Sequence, residues 1–303
     1  MMKRELLIVG LLVCVMAAGT QAADCGDWGY LEMDFDTNCY VDLADFSKFA
    51  SQWLNCTHPL DGSCIEPLDV TIVAHKGYSA ITPENTIASC NASRNYAGMV
   101  EFDVQTTDDE QLVLMHDANV VRTTDGSGLV EDMLFSDIRK LDAGSWKGSE
   151  FEGELVPTLN EAILATLPDM TPCIERKTGT PQQYLDILNT LRCTTDVVVI
   201  SFDKKFLTDL EGLDPNIVTG LLGTTDPLTT TIIEGIANDG IDFIDWRHDK
   251  IRAIEVGMVH SAGLELWVWT VNDMDRVQAL IDLGVDGITT DNPEAATQIL
   301  EQQ

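Results

Sequence analysis

Two short segments carry residues two positions apart whose side chains could meet at one point, Glu101-Phe102-Asp103 and Glu175-Arg176-Lys177. In an extended strand residues i and i+2 share a face. Glu101 and Asp103 therefore point one way, as do Glu175 and Lys177, with Phe102 and Arg176 turned to the reverse side. Three carboxylates converging on one point repel one another unless a cation neutralises them or a proton is taken up. Hard oxygen ligands without cysteine favour one divalent cation, Ca2+ or Mg2+. His75 and His116 can trade protons near neutral pH, and Lys76 and Lys177 add positive charge that could hold an anion. A cation and lysines against phosphate oxygens, with a base and an acid on opposite sides of phosphorus, are what phosphodiester cleavage requires. Taken singly, a histidine at a strand end is more often structural, and a Glu-x-Asp pair is more often a solvated strand face.

The surrounding elements raise the weight of this cluster. From Leu68 onward, short β-branched runs alternate with amphipathic helical stretches, the pattern of repeated βα units. Eight strands are expected, at Thr71 to His75, Val100 to Gln105, Pro172 to Lys177, Val197 to Phe202, Asn216 to Leu222, Ile241 to Trp246, Glu265 to Thr270 and Val285 to Thr290. Helices are expected between them, as at Pro83 to Tyr96, Pro181 to Arg192 and Met274 to Leu283, with Pro83 suited to a first helical position and Gly284 to a helix end. This predicts an α/β fold over 68–303, a (β/α)8 TIM barrel, whose catalytic groups sit at the C-terminal ends of the strands. The stretch from Thr106 to Leu159 is too long for one connection and predicts an irregular insertion after the second strand.

The 303-residue chain carries 50 acidic against 18 basic residues, a formal charge of −32, which argues against nucleic acid as partner. Lys3 and Arg4, the apolar run Leu6 to Ala18 and the small residues after it read as a signal peptide over 1–22, hence a secreted, periplasmic or cell-surface protein. No stretch is long enough for a membrane span. An acidic, cysteine-containing module follows over 23–67, with nine acids against the single base Lys48. Within it Asp34, Asp36, Asn38 and Asp45 fall at positions 1, 3, 5 and 12 of a calcium-type loop, which would hold a structural Ca2+. Cys39 stands where such loops turn on glycine. A disulfide-stapled acidic spacer without metal suits the same residues. Cys90, Cys173 and Cys193 are expected as buried fillers, and the absence of any CxxC spacing argues against zinc.

Many short pieces then line up in order: Ala74-His75-Lys76-Gly77, Pro83-Glu84-Asn85-Thr86, Glu101-Phe102-Asp103-Val104, His116-Asp117, Arg122-Thr123-Thr124, Val156-Pro157-Thr158-Leu159-Asn160-Glu161, Glu175-Arg176-Lys177, Trp269-Thr270-Val271-Asn272 and Asp291-Asn292-Pro293. Over Leu68 to Gln303 the chain resembles the glycerophosphodiester phosphodiesterase family, and the 23–67 module resembles one half of a dockerin-type repeat, through which a protein partner could dock. The family resemblance implies a metal held by Glu101, Asp103 and Glu175, with His75 as base and His116 as acid, two roles that can exchange between steps. It implies Lys76, Lys177 and Glu84 near the substrate, Trp269 along the glycerol part, and attack on phosphorus by the neighbouring glycerol hydroxyl. Lys76 stands where the family usually has Arg, which keeps the charge and loses the two-pronged grip. Arg247 could replace that guanidinium or could be an exposed loop residue.

The small-molecule substrate implied is a glycerophosphodiester. Two rivals differ from this reading: a sphingomyelinase D-like enzyme acting on intact phospholipid, and a catalytically silent surface scaffold. No exposed hydrophobic loop stands out in the sequence to favour the first. The costly carboxylate cluster counts against the second. His58 and His260 show no partners in the sequence, and Trp53 and Trp146 read as packing anchors.

Overall fold

All eight expected strands form: β1 (Thr71–Ala74), β2 (Met99–Thr106), β3 (Thr171–Arg176), β4 (Val198–Ser201), β5 (Val218–Gly223), β6 (Phe243–Arg247), β7 (Glu265–Trp269) and β8 (Gly287–Thr290). This computed structural model describes residues 70–302 except 225–227, with the backbone of two short antiparallel strands, Cys56–Thr57 and Cys64–Ile65. The strands pair in parallel in chain order, and β8 returns to β1, which closes the barrel. Each strand is followed by its helix: α1 (Ile87–Ser93), α2 (Leu159–Thr166), α3 (Pro181–Leu191), α4 (Lys204–Leu213), α5 (Thr230–Asn238), α6 (Ala253–Ser261), α7 (Met274–Leu283) and α8 (Pro293–Leu300). The architecture is that of a (β/α)8 TIM barrel.

Strand alternation sorts the side chains into two cores. Val100, Phe102 and Val104 turn outward and pack with Cys90, Leu159 and Ala162 of the helical ring. Inward-facing Val73, Cys173, Val198, Ile200, Leu222, Phe243 and Trp267 fill the barrel, and Trp269 packs above them. Large rings sit beside glycines here: Phe243 pairs with Gly220 and Trp267 with Gly287. A Cβ on Gly220 would come within 2.2 Å of the Phe243 ring, and one on Gly287 within 2.6 Å of Trp267.

The chain divides into two units, Met1–Leu68 and Asp69–Gln303. The leader, His58, Trp53 and the loop residues Asp34, Asp36, Asn38 and Asp45 lie outside the described residues. Among the described residues no helix is long and apolar enough to cross a membrane. Cys90, Cys173 and Cys193 are buried and free.

Several local expectations are corrected. Helix α1 begins at Ile87, not Pro83, because Thr86 is its N-cap and Asn85 is left-handed at φ 58°. Pro83 instead accepts a hydrogen bond from the Thr86 hydroxyl through its carbonyl, 2.7 Å. The insertion after β2 has its own small core of Val113, Met115, Val120, Val130, Ile138, Ala143 and Val156. It also contains an extra strand, Leu112–Leu114, antiparallel to β2. His260 has a partner in Asp286, 2.8 Å away. Trp146 is less an anchor than expected, since it is 40% exposed, with its indole N–H held by the Ala143 carbonyl. The loops after β1, β2 and β4 do expose large apolar side chains, Ile81 (57%), Val121 (57%), Trp146 and Phe202 (50%).

Candidate active site

His75 leaves the end of β1 with its backbone N–H on the Thr290 carbonyl, 2.9 Å. The next two residues are left-handed, Lys76 at φ 57° and Gly77 at φ 79°. Glycine suits that backbone, and any Cβ on Gly77 would lie 2.5 Å from the Ser89 backbone. The turn aims the Lys76 N–H at Glu101 Oε2, 2.8 Å. His75 Nδ1 lies 2.5 Å from Asp291 Oδ1, and its Nε2 lies 4.0 Å from Glu101 Oε2. Asp291 also accepts from Ser79 Oγ at 3.0 Å and Asn272 Nδ2 at 2.5 Å. Burial alone would raise the Asp291 carboxyl, but the His75, Asn272 and Ser79 hydrogen bonds pull it down to about 2. An ionised Asp291 accepts the hydrogen bond of Nδ1–H, the tautomer that leaves the Nε2 lone pair on the side of Glu101.

Glu101, Asp103 and Glu175 are buried, and one oxygen from each lies within 4.8 Å of the others. Glu101 Oε1 has no hydrogen bond. Lys177 Nζ lies 2.9 Å from Asp103 Oδ1 without aligning as a hydrogen bond, and also contacts Glu175 Oε1. Asp103 Oδ2 accepts from Asn85 Nδ2 at 2.8 Å, and Asn85 Oδ1 accepts the Asp103 N–H at 3.0 Å. The left-handed backbone of Asn85 presents its amide to that strand. Burial, then repulsion from Asp103 and Glu175, pushes Glu101 well above the usual range. Burial and Asp103 push Glu175 up to about 7 against the pull of Lys177. Asp103 itself stays low despite burial, because Lys177, Lys76, His116 and Asn85 favour its charged form.

Buried carboxylate oxygens without hydrogen bonds that repel one another fit a cation, which would relieve both costs. Two ligands of one Ca2+ at its usual distances stand at most about 5 Å apart. The triad could therefore bind a divalent metal.

His116 lies two residues past the end of the extra strand, which runs antiparallel to β2; the intervening Met115 donates its N–H to the Asp103 carbonyl at 3.0 Å. Gln105 Nε2 holds the His116 carbonyl at 3.2 Å. The imidazole Nδ1 lies 2.7 Å from Asp117 Oδ1, and Arg122 Nε donates to Asp117 Oδ2 at 2.6 Å. Arg122 then forks onto both oxygens of Glu84, each at 2.8 Å. Lys76 Nζ meets Glu84 Oε1 at 3.4 Å. The Arg122 and His116 contacts, against a smaller effect of burial, pull Asp117 down to about 2.

Trp269 ends β7 with its indole N–H on the Asp245 carbonyl, 3.1 Å, and its ring edge-on to Phe202 at 5.6 Å. Arg247 forks onto Asp249 through Nε and Nη2, each at 2.8 Å, so that edge of its guanidinium is engaged by its own loop. Asn85, Asp117, Arg122, Asn272 and Asp291 also belong to the site; all five lie in the short motifs of the sequence, yet their contacts span up to 216 positions of chain, which no local spacing reveals. Asp245 was also missed: it is fully buried on the inner side of β6, its Oδ1 has no hydrogen bond, and burial and then Glu175 hold its carboxyl well above the usual range.

Known proteins are similar to this barrel in sequence and fold. The chain is 34% identical over 234 residues to the Bacillus subtilis protein YhdW, covering 74% of this chain and 95% of that one. It is 32% identical over 242 residues to the glycerophosphodiester phosphodiesterase of Caldanaerobacter subterraneus subsp. tengcongensis, covering 76% and 98%. An Oleispira antarctica phosphodiesterase, solved in complex with the product sn-glycerol-3-phosphate, superposes with a TM-score of 0.71 at 27% identity, covering 76% and 96%. The model of the glycerophosphoryl diester phosphodiesterase family matches residues 75–295, and with the barrel and its acidic triad this places the chain in that family of enzymes.

Proposed function

We propose that this enzyme hydrolyses glycerophosphodiesters to sn-glycerol 3-phosphate and an alcohol by acid–base catalysis from two histidines. The observation that carries the reading is the His75 dyad: Asp291 holds Nδ1 at 2.5 Å, and Nε2 stands 4.0 Å from the triad. His75 Nε2 would take the proton of the glycerol hydroxyl next to the ester as that oxygen attacks phosphorus. His116 Nε2 would give a proton to the departing alcohol oxygen, leaving a cyclic phosphate. In the second step the roles exchange: His116 takes a proton from water as it opens the ring, and His75 returns one to the glycerol oxygen. Lys177 and Lys76 would meet the phosphate oxygens. A divalent cation, Ca2+ or Mg2+, held by Glu101, Asp103 and Glu175 would supply further positive charge to the phosphate.

The test is the pair of products from glycerophosphocholine with Ca2+ or Mg2+ present. Choline and glycerol 3-phosphate in equal amounts support the reading; phosphocholine and glycerol overturn it.

Export is part of the same proposal and rests on the leader in 1–22. A structural Ca2+ in the 23–67 loop and a protein partner for that module rest on the spacing of Asp34, Asp36, Asn38 and Asp45. Calcium titration of the mature protein and its Asp34→Ala, Asp36→Ala variant tests the loop: one site fewer in the variant supports it, and an unchanged isotherm overturns it. Action on intact phospholipid, as a second reading, draws support from the exposed Ile81, Val121, Trp146 and Phe202. The −32 charge opposes it at anionic membranes.

A further inference from the structure

We infer that Arg122 is a positioning residue that couples the loop carrying His116 to the loop carrying Lys76. The inference rests on the proposed role of His116 as acid. Arg122 engages two separate carboxylates with one planar group: Nε donates to Asp117 Oδ2 at 2.6 Å, while Nη1 and Nη2 donate to the two oxygens of Glu84 at 2.8 Å. Asp117 passes the constraint on, since its other oxygen lies 2.7 Å from His116 Nδ1. The His116 side chain is 40% exposed. A ring so exposed has several rotamers open to it, and ordering it has an entropic cost. The Asp117 carboxylate, itself clamped by Arg122, selects one rotamer and directs the Nε2 edge away from Asp117.

The other arm acts on Lys76. Both Glu84 oxygens are engaged by the guanidinium, and the ammonium of Lys76 stands off at 3.4 Å from one of them. Glu84 thus places the Lys76 side chain without gripping it closely, which leaves its charge available to an incoming phosphate. A lysine at position 122 could not serve both carboxylates, because an ammonium lacks the fixed fork that spans them. Guanidinium geometry is what the site needs there, even though the phosphate-facing residue 76 is a lysine.

Two substrates separate this role from a merely structural one. Glycerophosphocholine has a poor leaving alcohol that needs an acid, whereas a glycerol phosphodiester of p-nitrophenol has a leaving group that departs without one. Arg122→Ala is expected to lower kcat on glycerophosphocholine by about tenfold or more, and to lower it much less on the nitrophenyl ester. Arg122→Lys is expected to restore little. Adding Asp117→Asn to Arg122→Ala is expected to cost less than the product of the two single losses. His116→Ala is run in parallel, and circular dichroism confirms that each variant is folded. If His116→Ala shows the leaving-group dependence while Arg122→Ala does not, or if Arg122→Lys is fully active, the coupling role is wrong. If His116→Ala shows no such dependence, the acid assignment falls and the inference falls with it.

Discussion

Asp291 Oδ1 and His75 Nδ1 lie 2.5 Å apart although 216 residues separate them in the chain, so the last strand of the barrel orients a side chain of the first. The contact exists because β8 pairs with β1 and closes the sheet. Asp291→Asn would keep the shape but allow the amide to favour the other tautomer of His75. We expect kcat to fall by about 10²-fold with KM little changed. Steady-state kinetics check this, and an unchanged kcat would remove His75 from the role of base.

Asn85 makes two hydrogen bonds to Asp103, one to its carboxylate and one from its backbone N–H. Asn85→Ala removes both and frees a buried carboxylate to rotate. Divalent-metal affinity is expected to weaken by about tenfold or more, the usual cost of losing a residue that orients a ligand. The dependence of activity on metal concentration would show this as a shifted midpoint with a similar plateau.

Protons and metal should compete for the triad. Burial and Asp103 hold Glu175 at about 7, above the roughly 4.3 of an unfolded glutamate. The folded state therefore binds that proton more tightly. Its contribution to stability is complete below the unfolded value and is lost as pH rises through about 7. An added cation removes this penalty. Differential scanning fluorimetry should show a larger metal-induced rise in Tm at pH 8 than at pH 5, and equal rises at both would contradict this.

Gly287 leaves room for the Trp267 ring, which a Cβ would approach to 2.6 Å. Gly287→Ala is expected to destabilise the barrel by about 1–3 kcal/mol, the range for overpacking a filled interior. Urea unfolding measures it. Pairing the change with Trp267→Leu should recover part of the loss, since the smaller side chain returns the space.

Much of this architecture is legible in the sequence because a parallel barrel writes itself locally. Each βα unit has its own apolar run and its own cap, as with Thr180 before Pro181 and Gly284 after Leu283. The i, i+2 spacing of Glu101 and Asp103 identifies the inward face without any partner strand. The strand Leu112–Leu114 is too short to announce itself by alternation, and it forms because its backbone pairs with β2. The start of α1 was misplaced because proline at a helix start is a local preference, whereas Asn85 is drawn out of the helix by Asp103. Asp245 is the same kind of miss: alternation turns it inward, but only closure of the sheet shows that it is buried. Contacts made by closing the barrel have no local signature.

The most direct test of metal-dependent two-histidine catalysis is glycerol 3-phosphate release from glycerophosphocholine by the full protein, with Ca2+ or Mg2+, with chelator, and for His75→Ala and His116→Ala. Release that needs a divalent metal and falls by at least about 10²-fold in each histidine variant is the predicted result. Release that survives chelation and both substitutions, or no release from folded protein with either metal, would contradict it.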